Sequence, residues 1–385
     1  MSVTAASGFR AAGVAAGIKA SGGLDLALVV NDGPATTAAG VFTRNQVKAA
    51  PVLWSAQVLT GRRLRAVVLN SGGANACTGP GGFQDTHATA ERVATALGCG
   101  AVEVAVCSTG LIGERLPLGA LLSGVDKAEV ALAATPEAGL AAATAVLTTD
   151  TVPKQAVVTR SGWTVGGFAK GAGMVAPSLA TMLCVLTTDA AVDESTLDAV
   201  LRRATSATFE RLDIDGTCST NDTVLLLSSG ASGIVPDEPE FAAAVQQVCH
   251  DLVRGLQADA EGVTKEISIT VRGATDDVDA LTAARAIAQD NLVKTAFFGS
   301  DPNWGRTAAA VGASAATVQA DTLDITINGV PLCRNGAVAA ERSKADLSGR
   351  EITVEVDLHL GPGEATVLTT DLSHAYVEEN SAYSS

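Results

Sequence analysis

Lys170-Gly-Ala-Gly-Met-Val-Ala-Pro-Ser-Leu-Ala-Thr181-Met-Leu-Cys-Val-Leu186 is the least ordinary stretch of the 385-residue chain, and it admits two readings. In the first, Gly171-Ala-Gly173-Met-Val-Ala176 follows a strand over residues 163–168 and matches the looser GxGxxA dinucleotide fingerprint, with Asp189 at the distance of a ribose-binding acid. Against it, Pro177 falls in the opening turns of the helix that such a fingerprint requires, where only the first position takes proline easily. In the second, a glycine-rich loop leads into a buried apolar strand over 182–186, with Thr181 at its head. Such a loop is flexible enough to bring Thr181 Oγ onto the carbonyl of Ala180. An N-to-O acyl shift and hydrolysis would then free a Thr181 α-amine, whose ordinary pKa of about 7.7–8.0 leaves a usable fraction as free base beside its own hydroxyl. A threonine heading an apolar strand is also an ordinary β-branched strand residue.

The four histidines, His87, His250, His359 and His374, are isolated, with no HxxxH, HExxH or GxSxG pattern. A nucleophile in this chain therefore finds its base elsewhere than in a histidine. The seven cysteines lie far apart with no CxxC and an odd total, which disfavours a disulfide framework or a zinc site and fits a reducing cytoplasm. No run reaches the roughly 18 apolar residues that a spanning helix needs. Residues 2–24 lack an apolar signal core and read as the mature start.

The net charge of -15 argues against nucleic acid and anionic membrane as partners. Residues 1–180 carry 13 Lys+Arg and 10 Asp+Glu, whereas residues 181–385 carry 13 and 31. The sign of the charge thus changes across the proposed cut, which favours association of two fragments, although an acidic second half also serves solubility.

Apolar runs at 26–30, 66–69 and 104–107 read as buried strands, and 86–97 and 129–146 as alanine-rich helices. Helical spacing recurs at 194–207 and 240–256, and 219–227 reads as a strand. Residues 266–271, 323–327 and 352–358 alternate like half-solvated strands, with a helix over 276–289 opened by Asp276 and Asp277. Glycine and proline mark loops at 79–82, 229–239 and 361–363, the middle one a candidate domain edge.

Five separated motifs resemble the ornithine acetyltransferase family, the bifunctional glutamate N-acetyltransferases of arginine biosynthesis. They are the quoted stretch, Ser108-Thr-Gly-Leu-Ile-Gly113, Thr148-Thr-Asp-Thr151, Ser219-Thr-Asn-Asp222 and Asp301-Pro-Asn-Trp-Gly-Arg306, and the likeness runs from Gly8-Phe-Arg-Ala-Ala-Gly13 to Tyr376-Val-Glu-Glu-Asn380. The resemblance implies a layered α-β-β-α sandwich like the N-terminal-nucleophile folds, with a further smaller α/β domain. It implies self-cleavage between Ala180 and Thr181 into an α chain, 1–180, and a β chain, 181–385, associated as α2β2.

Thr181 would then carry the acetyl of N2-acetyl-L-ornithine to L-glutamate in a ping-pong cycle, releasing ornithine and N-acetylglutamate. By the same resemblance the Thr109 hydroxyl and the Gly110 amide form the oxyanion hole, and Thr148, Lys170, Thr181, Glu261, Asn380 and Ser385 contact substrate. No cofactor or metal is implied, and whether acetyl-CoA also serves as acetyl donor stays open. Read alone, Lys170 and Glu261 are solvated surface charges and Asn380 and Ser385 tail residues. Where many relatives have an Asp, this chain has Thr217, so the loop 215–222 is given no metal or acid role; Asp301–Arg306 reads as a structural turn with a buried Arg306. An N-terminal-nucleophile amidase or aminopeptidase, using the same threonine with water as acceptor, is the alternative.

Overall fold

The computed structural model describes residues 2–176 and 182–382, and these divide into two compact units. The first takes in residues up to Glu210 and Thr217–Leu256; the second, Arg211–Gly216 and the chain from Gln257. The loop after Ser228 lies within the first unit, and the division falls at 256/257, inside the helix Glu238–Ala258.

Among its described residues the first unit holds nine strands: β1 (Phe9–Val14), β2 (Leu26–Asn31), β3 (Thr37–Phe42), β4 (Ala66–Asn70), β5 (Val104–Ser108), β6 (Lys154–Arg160), β7 (Trp163–Lys170), β8 (Leu183–Thr188) and β9 (Thr223–Ser228). They form a four-stranded sheet in the order β1-β2-β4-β5 and a five-stranded sheet in the order β3-β9-β8-β7-β6. Strands β2, β4, β5, β7, β8 and β9 are buried along their whole length, which is why they read as continuous apolar runs rather than alternating ones. One core joins the sheets, with Phe168, Leu183, Val185, Leu225 and Leu227 of the second packed among Leu28, Val30, Val67 and Leu69 of the first. The helices Gly79–Leu97 and Leu118–Ala131 pack on the first sheet. Helix Glu194–Ala207 packs on β3, and Phe241 of Glu238–Ala258 meets Trp163 of β7 with ring centroids 5.8 Å apart. The result is the expected α-β-β-α layering.

Strands β7 and β8 are antiparallel neighbours, with Lys170 opposite Leu183. They are successive strands of one sheet joined by the glycine-rich stretch, and residues 171–176 form bends rather than the first turns of a helix. This excludes the βαβ unit that a dinucleotide fingerprint serves.

Two helices differ from their sequence reading. Pro136 at the first helical position and Thr135, whose Oγ1 accepts from Ala138 N at 3.3 Å, start a new helix, so 129–146 is split between Leu118–Ala131 and Pro136–Ala145. The glycine run at 79–82 is the opening of the helix Gly79–Leu97, with Pro80 in its first turn, and not a loop.

The second unit is a six-stranded sheet of β10 (Glu266–Ala274), β11 (Asp324–Ile327), β12 (Val330–Arg334), β13 (Ala337–Val338), β14 (Glu351–Asp357) and β15 (Gly363–Thr370), in the order β13-β12-β11-β14-β10-β15. Burial alternates along β10, β14 and β15, giving one apolar face that Asp277–Gln289 and Trp304–Ala313 cover. Asp276 caps the first of these helices, accepting from Asp279 N at 2.8 Å. In the turn before the second, Asn303 Oδ1 accepts from Arg306 N at 3.3 Å. Arg306 is half-buried rather than buried: its Nη1 reaches the Leu292 carbonyl at 2.7 Å while the guanidinium keeps contact with solvent.

Candidate active site

Strand β7 ends at Lys170, whose side chain is 1% exposed, so the ammonium must find its partners in the protein. It donates to Thr109 Oγ1 at 3.1 Å and to Thr148 Oγ1 at 2.9 Å. Three residues separated by up to 61 positions in the chain thereby meet, and the surface reading of Lys170 is overturned.

A buried carboxylate completes the group. Asp150 Oδ2 lies 3.9 Å from the Lys170 ammonium, and Asp150 Oδ1 accepts from Lys154 Nζ at 2.5 Å and from Gly171 N at 2.7 Å. Burial opposes ionisation of Asp150, but the charges of Lys170 and Lys154 outweigh it and hold the carboxyl below its ordinary value. A buried ammonium at this point is of the type that holds a carboxylate.

Thr109 follows β5 directly. Its N–H donates to Asn70 O and its carbonyl accepts from Gly73 N, both at 3.0 Å, so the turn after β5 is pinned to the turn after β4. Ser108 Oγ adds a bond to Asn70 Oδ1 at 2.6 Å. Gly110 has φ +129°, and a Cβ there would lie 2.5 Å from Gly73 N. Only glycine fits a backbone so placed. No described residue accepts a hydrogen bond from Gly110 N, which leaves that N–H available to an oxyanion beside the Thr109 hydroxyl.

On the other side, Met182, the residue that follows Thr181 in sequence, donates its N–H to Asp222 Oδ1 at 3.0 Å and accepts from Thr223 N at 2.9 Å. Asp222 is fully enclosed, and burial pushes its carboxyl well above the ordinary range. The neighbouring Asn221 donates from Nδ2 to Ala74 O at 2.6 Å and to Ser108 O at 2.8 Å.

In the second unit Glu261 is buried, not a solvated charge, and its Oε2 accepts from Asn380 Nδ2 at 2.8 Å. Asn380 lies in the helix His374–Ala382 rather than in an unstructured tail. Ala180, Thr181 and Ser385 lie outside the described residues. Reading the sequence singled out Thr109, Gly110, Thr148 and Lys170 but missed Asp150, Lys154 and Asn221–Asp222 as members of the site. For Asp150 and Asn221–Asp222 the one signal was membership in the polar stretches 148–151 and 219–222; Lys154, at the head of β6, had none.

A layered α/β body in which two sheets end in buried hydroxyls, a lysine and carboxyl groups is that of an enzyme. The chain matches the ArgJ family over residues 10–385. It is 65% identical to the arginine biosynthesis bifunctional protein ArgJ of Mycolicibacterium paratuberculosis, over all of this chain and 96% of that one. It is 58% identical to the ArgJ protein of Streptomyces coelicolor over the whole of both chains. Among solved structures, an ornithine acetyltransferase complexed with ornithine from Mycobacterium tuberculosis is 67% identical over 46% of this chain and 95% of that one, with a TM-score of 0.46. The ArgJ protein of Bacillus halodurans is 35% identical over 51% of this chain and 97% of that one, with a TM-score of 0.49. The chain belongs to the ArgJ family, the ornithine acetyltransferases that its motifs resemble, and is an acetyltransferase of arginine biosynthesis.

Proposed function

We propose that the chain transfers the acetyl group of N2-acetyl-L-ornithine to L-glutamate through an acetyl ester on Thr181, after cutting itself between Ala180 and Thr181. In the cut, Thr181 Oγ adds to the Ala180 carbonyl, the peptide C–N bond breaks, and water hydrolyses the resulting ester to leave the Ala180 carboxylate and a Thr181 α-amine. In turnover that amine takes the proton of Thr181 Oγ as the oxygen attacks the acetyl carbonyl. The C–N bond of the substrate breaks and ornithine leaves with the proton on its amine. The amine of glutamate then attacks the ester, the C–O bond breaks, and Oγ regains a proton.

The observation that carries the reading is the Thr109–Lys170–Thr148 cluster beside the Gly110 amide. A hydroxyl and a backbone N–H in adjacent residues suit an oxyanion, and the buried ammonium suits a carboxylate of the amino-acid substrates. Glu261 and Asn380 are assigned to substrate as well, the carboxylate to an ammonium, together with Ser385.

Sheet order supports the persistence of the two fragments. The strands of residues 181–385, β8 and β9, sit between β3 and β7 of residues 1–180, so both fragments share one hydrogen-bonded sheet. We assign the active form as α2β2. We assign the protein to the cytoplasm, a reading that its free cysteines support; no described helix is long and apolar enough to cross a membrane. Acetyl-CoA is the second acetyl donor to test.

The test is to incubate the pure protein with N-acetylornithine, with and without glutamate. Ornithine release that depends on glutamate is the expected result. Release that ignores glutamate would identify an amidase. Acetylation of glutamate from acetyl-CoA, assayed separately, tests the second donor.

A further inference from the structure

Asn221 and Asp222 have no assigned part in acyl transfer, yet they tie both halves of the site together. Asp222 is 0% exposed and its Oδ1 accepts from Met182 N. Its Oδ2 is buried with no hydrogen-bond partner. A carboxyl oxygen enclosed without a partner costs stability, and natural cores keep such groups rarely, so its retention calls for a reason in function. Burial raises this carboxyl well above its ordinary range, with the Met182 amide and Lys170 acting against it.

One residue earlier, Asn221 Nδ2 grips the carbonyls of Ala74 and Ser108. The second of these immediately precedes Thr109. A single dipeptide therefore holds the amide after the nucleophile with one side chain and the oxyanion turn with the other.

We propose that Asp222 is a positioning residue for self-cleavage and acyl transfer, fixing the nucleophile through the Met182 amide while Asn221 holds the oxyanion turn in register with it. This rests on Thr181 being the nucleophile. Misplacement of a nucleophile by about 1 Å lowers turnover by about a hundredfold, so the hold on Met182 has a measurable consequence.

The experiment compares full-length wild type, Asp222→Asn and Asp222→Leu. Asparagine keeps an oxygen for the Met182 amide; leucine keeps the branched shape, with greater bulk, and removes every polar atom. Denaturing electrophoresis against time reads self-cleavage, kcat and KM for N-acetylornithine are measured on the cleaved protein, and melting midpoints report folding. The leucine variant is expected to cleave and turn over at least about tenfold more slowly with KM little changed, while asparagine restores both rates to within about threefold. A leucine variant that melts normally and works at the wild-type rate overturns the proposal. So does an asparagine variant that melts no lower than wild type yet is slowed about tenfold, and this second result decides the matter even where leucine prevents folding. Wild type that never cleaves would instead remove the Thr181 reading, a separate outcome.

Discussion

The Lys170 ammonium lies 3.1 Å from the Thr109 hydroxyl, joining the last residue of a strand in one sheet to the first residue past a strand in the other. This bond brings the assigned carboxylate-binding cation and the assigned oxyanion donor to one point. Substitution at one end should therefore be felt at the other. Lys170→Met is expected to lower kcat/KM by about a hundredfold or more, measured with N-acetylornithine and glutamate. Activity within threefold of wild type would separate Lys170 from the site.

Asp150 should matter to stability more than Lys170 does. It receives two lysines and the Gly171 amide in a fully enclosed setting, and Asp150→Ala takes one negative charge away from two buried cations. The expected loss is about 3–5 kcal/mol in denaturant unfolding, with Lys170→Met costing less because Lys154 still neutralises Asp150.

Gly110→Ala is expected to lower both stability and rate. The positive φ and the 2.5 Å approach of the added Cβ to Gly73 N force the backbone to shift, and the N–H assigned to the oxyanion moves with it. A loss of more than about 1 kcal/mol, with kcat reduced about a hundredfold and self-cleavage slowed alongside, is the predicted pattern.

The Asp222 carboxyl gives a pH signature. Its folded value is raised, so between its ordinary value near 3.9 and its folded value the native state holds a proton that the unfolded chain has lost. Stability therefore falls as pH rises through that window. Asp222→Asn removes this dependence: its melting midpoint should exceed that of wild type at pH 7, and the advantage should shrink as pH approaches 4. A difference independent of pH would mean that Asp222 is ionised in the folded protein.

Deleting residues 382–385, or adding a tag after Ser385, is expected to impair turnover while leaving self-cleavage intact, because Ser385 is assigned to substrate and not to the cut. Full activity in both variants would remove the C-terminus from the site.

Much of the fold was legible because burial on both faces of β2, β4 and β5 writes itself as unbroken apolar runs, and because half-covered β10 and β14 alternate. Helix limits were less legible where one residue has two meanings: Pro136 ends a periodic pattern but begins a helix, and glycines 79–82 read as a loop although they open one. The site was legible only in its motif residues. Asp150 is defined by Gly171 and Lys170, and Asp222 by Met182, 40 residues away, so membership in a polar motif marked each of them but not the part it plays. Lys170 and Glu261 were concealed for the converse reason, since a charged residue is exposed by default and both are buried.

The central claim is that Thr181 becomes the start of a new chain and carries the acetyl group. Intact-mass analysis of the purified 38.6 kDa protein under denaturing conditions tests it most directly. The account predicts two fragments, residues 1–180 and residues 181–385, with the second gaining one acetyl group when N-acetylornithine is supplied without glutamate, and a single unmodified chain for Thr181→Ala. A wild-type chain that stays whole and is fully active would contradict it.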